Sequence, residues 1–189
     1  MRFLQTEPVQ HSLAPGAELL LLPEPRFKRC LLQIHFDCPL DDQSPARTLL
    51  AQVLQQGTAK YPSRMALARR LEEFYGATLQ FAGHRSAEAH NMTVGMAWVG
   101  ERFLPEGETV VGPLIGLGMQ LLADPLRGPG GEFFDPQTIE REREQLLRQI
   151  ESFPDDRSAY AEEQFIKALC EGEAFGNPVW GTSEQVKAL

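Results

Sequence analysis

Apolar residues recur at helical spacing in several stretches of this chain and alternate with polar ones in others. Ala46, Leu49, Leu50, Val53 and Leu54 make a wide apolar face on a helix starting at Ser44. Ser44 is placed to cap it, Pro45 suits the first turn, and Gly57 suits its end. Leu67, Leu71 and Phe74 mark a second helix from the cap Ser63 to Tyr75, stopped at Gly76. Val110, Val111, Leu114, Leu117, Leu121 and Leu122 mark a third, about Thr109 to Asp124. Its Gly112, Gly116 and Gly118 each weaken it by about 1 kcal/mol relative to Ala, so packing has to hold it, with close approach to a sheet as the expected use. A long charged helix runs from Asp135-Pro136 to about Phe153, and another from about Arg157 to Glu171. Ser183 opens a last helix cut short at Leu189.

The remaining apolar runs read as strands: Glu18 to Leu22, Phe27 to Phe36, Thr78 to Arg85 and Ala89 to Trp98. Leu32, Ile34 and Phe36 share one face of the second, with Gln33 and His35 on the other. Pro23-Glu24-Pro25 reads as the turn between the first two strands, after an extended, polar lead-in over residues 1–16. The pattern implies an α+β fold, with an antiparallel or mixed β-sheet packed against α-helices on one face.

With 189 residues the chain is long enough for one good core. Its net charge of −8 repels phosphate backbones and argues against nucleic acid as a partner. There is no apolar run of membrane-spanning length, and the first residues lack the apolar segment of a signal peptide. Cys30, Cys38 and Cys170 are odd in number and without C-x-x-C spacing, which points to free thiols. A cytoplasmic location with no membrane partner is the expectation.

Candidate chemistry is sparse. His35, His84 and His90 are potential ligands of a displaced metal site, but they sit on strands without a helical i, i+4 pair, and a polar strand face explains them better. Glu140, Glu142 and Glu144 with Arg141, Arg143 and Arg148 fit a solvated helix face. The cysteines fit small buried residues, and Asp155-Asp156 a helix cap.

The first helix, then Gly57-Thr58 and Tyr61-Pro62-Ser63, resembles the start of pitrilysin-type (insulinase-like) zinc peptidases. Leu71-Glu-Glu-Phe-Tyr-Gly-Ala77, Phe103-Leu-Pro105, Ala123-Asp-Pro-Leu126, Phe134-Asp135, Glu140 to Ile150, Asp155 to Ala161 and Glu171 to Gly176 extend the resemblance in order. It implies the metalloenzyme LuxS/M16-peptidase-like fold class. Active members carry His-x-x-Glu-His on this helix, with two histidines for zinc and a glutamate as base. The matching positions here hold Thr48, Ala51 and Gln52. The third ligand, a glutamate on the long charged helix, matches Gln149 by register with Glu142, which is itself expected to line the same cleft.

No metal or other cofactor is therefore expected. The implied role is a catalytically inactive homologue that binds an extended peptide, or that assembles with an active paralogue or with itself as a dimer. The alternative is a zinc-dependent peptidase with a non-standard site or one completed by another chain. The segments around Phe103, Pro125 and Glu171 most resemble bacterial non-catalytic members associated with elongation factor P modification. The implied organisation is a lead-in and first strand over 1–26, an M16-like domain over 27–175, and over 176–189 the start of a linker toward a second domain.

Overall fold

Every second residue of the strand Ala89–Val99 (β5) is apolar from Met92 to Trp98, and that alternation fixes which way the sheet faces. A computed structural model describes residues 7–189; part of the expected lead-in lies outside the described residues. Val94 and Met96 are 2% and 1% exposed and meet the helices. β5 is the centre of a three-stranded sheet, between β3 (Arg29–Pro39) and β4 (Thr78–Ser86), all antiparallel. β4 and β5 form a hairpin whose turn holds Ala87 at φ +51°.

The expectation that the strand at Glu18 to Leu22 joins this sheet is overturned. Ala17–Leu21 (β2) pairs with Val9–Ala14 (β1), in a separate two-stranded hairpin. Pro15-Gly16 forms its turn, with Gly16 at φ +77°. Such local pairing is quickly closed, whereas Pro23 and Pro25 break the ladder before β3 begins. Pro23-Glu24-Pro25 is consequently a connection, not a hairpin turn.

The first helix, α1 (Ser44–Leu54), starts without a side-chain cap. Ser44 is its first residue, and its Oγ accepts the Asp41 N–H at 3.2 Å instead of capping from outside. The chain leaves the helix at Gln55, before Gly57. Gly57 serves a close approach: a Cβ there would sit 2.6 Å from the Tyr61 carbonyl oxygen. α1 is buried on two sides. Ala51 and Leu54 join the main cluster with Phe81, Val94, Met96 and Leu114, while Leu49 and Val53 join a second cluster with Leu146 and Val186.

α2 (Arg64–Glu73) is capped by Ser63, whose side chain accepts the Ala66 N–H. α3 (Val111–Ala123) buries Leu114, Leu117 and Leu121 against the sheet. Of its glycines only Gly118 is a close-approach residue: a Cβ there would lie 2.5 Å from Met96 Cε, whereas Gly112 and Gly116 face open space. α4 (Pro136–Ser152) is capped by Asp135, and α5 (Arg157–Leu169) by Asp156 rather than Asp155. α6 (Ser183–Lys187) is capped by Thr182, not Ser183, through a reciprocal pair with Gln185. This helix of five residues is held by tertiary packing, since Val186 is 0% exposed in the second cluster.

α5 is anchored differently. Arg85 at the end of β4 donates to both carboxylate oxygens of Glu163, at 2.9 and 2.6 Å, and to the Phe175 carbonyl at 3.0 Å. Both side chains are nearly buried, so the geometry of this bidentate pair offsets its desolvation.

The contrast within α3 is testable by urea unfolding. Gly118→Ala should destabilise by about 1–3 kcal/mol through overpacking against Met96. Gly116→Ala, on the same helix but facing open space, should stabilise by up to about 1 kcal/mol.

Candidate functional site

α1 and α4 run antiparallel, because Gln52 meets Gln149 near one end of the contact and Gln56 meets Arg141 near the other. Between these polar contacts lie Val53 and Leu146. At the Gln149 end lies a pocket of about 160 Å³. Thr48, Gln52 and Gln149 form its polar side; Leu146, Ile150, Phe153 and Trp180 form its apolar side. Three of the four positions singled out in the sequence thus converge on one cavity. The fourth, Ala51, is 6% exposed within the main cluster and does not line the pocket.

The polar atoms here are arranged as a neutral network. Thr48 Oγ1 donates to the Val179 carbonyl at 2.8 Å, and Gln52 Nε2 donates to Gln149 Oε1 at 3.1 Å. Gln52 Oε1 is buried with no hydrogen-bond partner. A catalytic zinc is held by imidazole nitrogens and a carboxylate or thiolate, and its bound water needs a base. This pocket has a hydroxyl committed to a carbonyl, two amides and no ionisable side chain. The residues present do not fit zinc.

Glu142 is 7% exposed, as a residue facing a cleft would be, but it is absent from the pocket lining. Its Oε1 accepts Arg141 Nε at 3.0 Å, and Arg141 also reaches Gln56 at 3.4 Å. The other charged residues of α4 form a solvated face, with Arg143 paired to Glu140 and Arg148 to Glu144.

The histidines do not assemble. His84 stands opposite Asn91 and His90 opposite Arg85, so His84 and His90 point to opposite faces of the sheet. Strand alternation therefore keeps these two candidate ligands from sharing a site. His35 Nδ1 lies 3.0 Å from both Asn91 Oδ1 and Thr93 Oγ1 on the outer face. Among the described residues no group of three His, Cys, Asp or Glu side chains is placed to hold a metal. The three cysteines are free and half-buried.

Sequence reasoning missed Phe153 and Trp180, which wall the pocket with ring centroids 5.2 Å apart. Trp180 lies in what reads as a loop. Its neighbour Gly181 carried the signal: a Cβ there would lie 2.3 Å from Pro45 Cγ, so this loop is pressed onto the start of α1.

His90 is 0% exposed, and neither ring nitrogen has a partner. Burial pushes its pKa below the ordinary 6.5; Arg47 lowers it further, Asp41 opposes this, and His84 adds a small lowering. The unfolded chain then binds more protons, so this contribution to stability is present above about pH 6.5 and lost as pH falls below it. Unfolding midpoints should drop on acidification from pH 7.5 to 5, and His90→Leu should flatten that slope.

No family model matches the chain. A Bacillus subtilis protein described as "Probable inactive metalloprotease YmfF" is 29% identical over 164 residues, covering 85% of this chain and 38% of that protein. A conserved protein from Enterococcus faecalis superposes with TM-score 0.84 at 23% identity, over 96% of this chain and 43% of that one. A "peptidase M16 inactive domain" from Pseudomonas fluorescens gives 0.68 at 18% identity, over 96% and 42%. An M16-like peptidase from Alicyclobacillus acidocaldarius gives 0.68 at 13%, over 100% and 41%. The chain spans about two fifths of the length of these relatives. The α+β fold with an antiparallel sheet against helices is that of M16-like peptidase domains. In sequence the chain is similar to a protein described as a probable inactive metalloprotease, and its fold is that of M16-like peptidase domains.

Proposed function

We propose that this chain is a domain of a catalytically inactive M16-type homologue, which binds extended peptide and assembles with an active paralogue or with a second copy of itself. One observation carries the loss of catalysis: the pocket where Thr48, Gln52 and Gln149 meet is lined by amide and hydroxyl groups without an ionisable side chain. Ala51, at the position of the base, has no atom that accepts a proton. The name of the Bacillus subtilis relative supports the same reading.

Peptide binding outlives the loss of zinc because it needs backbone, not metal. Among the described residues β3 and β4 each pair on one side only, so each leaves a row of backbone donors and acceptors. An extended peptide can add to such an edge by main-chain hydrogen bonds. Assembly is supported by apolar surface: Leu13, Leu20 and Leu22 on or beside the β1–β2 hairpin and Phe165 and Leu169 on α5 are each more than 60% exposed. No helix among the described residues is long and apolar enough to cross a membrane.

The purified chain is expected to retain no stoichiometric zinc after dialysis and to bind members of a mixed peptide library without cleaving them. Stoichiometric zinc with turnover would overturn the reading. The placement of the lost site has its own test. Thr48→His with Gln52→His and Gln149→Glu should bind zinc at micromolar concentration, read by metal analysis of the folded variant. Adding Ala51→Glu should lower the unfolding midpoint, because that side chain enters the apolar cluster. A folded triple variant that stays metal-free sinks this placement.

A further inference from the structure

Resting on the peptide-binding reading, we propose that the pocket between α1 and α4 takes one neutral aromatic side chain of a bound peptide, that of tyrosine. Three observations select this ligand. First, the size is that of one ring: about 160 Å³, where an apolar cavity of about 150 Å³ accommodates benzene. Second, the walls are apolar and aromatic, with Leu146, Ile150, Phe153 and Trp180 around the space. The tilted Phe153–Trp180 pair offers faces and edges to a third ring. No charged residue lines the pocket, so neither a lysine nor a carboxylate finds a partner there.

Third, the polar side is short of a donor. With Gln52 oriented so that Nε2 donates to Gln149, Gln52 Oε1 is buried and accepts nothing. Thr48 cannot satisfy it, since its hydroxyl already donates to Val179. A phenol entering the pocket supplies the missing O–H once the Gln52 amide turns its Oε1 toward the space, while the ring fills the apolar part. Phenylalanine fills the space and leaves Gln52 Oε1 unpaired, and that difference sets the preference.

The test uses the full chain, isotope-labelled, with p-cresol and toluene as probes for the two side chains. Both should shift the Trp180 indole signal, and p-cresol should also shift the Gln52 and Gln149 side-chain amides. p-Cresol should bind about fivefold or more tightly than toluene, the effect of one buried hydrogen bond. Gln52→Leu should abolish the preference while toluene still binds; Gln52→Met gives the same readout if the first variant is unstable. Equal affinities for the two probes, or shifts mapping away from the pocket, would overturn the inference. N-acetylated Ala-Ala-Tyr-Ala-Ala and its Phe counterpart separate this from the underlying reading. Peptide binding that ignores the Tyr-to-Phe change sinks the tyrosine pocket and leaves peptide binding standing. Binding of p-cresol with no peptide binding sustains the pocket and overturns the peptide reading.

Discussion

Helix α1 is packed on two sides, and the rest of the structure depends on that. Ala51 and Leu54 meet the cluster built on the sheet, while Leu49 and Val53 meet the cluster built on α4 and α6. Burying an aliphatic side chain is worth about 1.5–3 kcal/mol. A helix held on both sides by such contacts needs no metal to keep its place. The strip through Thr48 and Gln52 lies outside both clusters, and there the residues face the pocket.

That position has a physical consequence. Histidine and glutamate facing a part-buried pocket without a cation are costly to the extent that charges and unpaired polar groups lose their hydration. Thr48, Gln52 and Gln149 are neutral groups instead, with Thr48 donating to a backbone carbonyl and Gln52 to Gln149. The network closes except at Gln52 Oε1. At the neighbouring position Ala51 takes the simpler course, with its methyl group absorbed into the main cluster. Along α1, one of the positions singled out in the sequence is thus core, and two others belong to a polar wall.

The helices were legible because their signals are local. Apolar spacing in α1, α2 and α3, and the Ser63, Asp135 and Asp156 caps, each sit within one or two turns of sequence. Convergence of Thr48 and Gln52 with Gln149 was legible only through the resemblance and the heptad from Glu142, since residues 97 apart carry no local mark of contact. The β1–β2 hairpin was misread because its apolar and polar residues do not alternate with burial; almost all of it is exposed. Periodicity reports burial against a partner, and a hairpin without one among the described residues gives no such signal. Trp180 was missed for the opposite reason: a loop brought it into the pocket through packing that only Gly181 and Pro45 betray.

The sheet shows the same division between packed and open surfaces. Met92 to Trp98 alternate toward the helices, while Asn91 and Thr93 point to the uncovered side and are nonetheless 7% and 8% exposed. Their burial comes from each other and from flanking strands, with Thr93 Oγ1 donating to Asn91 Oδ1 at 2.8 Å and His35 beside both. Such a self-satisfied polar row costs little in water and would cost little if another surface came over it, since its hydrogen bonds are already made. An apolar row there would demand a permanent cover. The outer face is therefore built to tolerate both a solvated and a covered state, whereas α1 on the other side is committed to a single one.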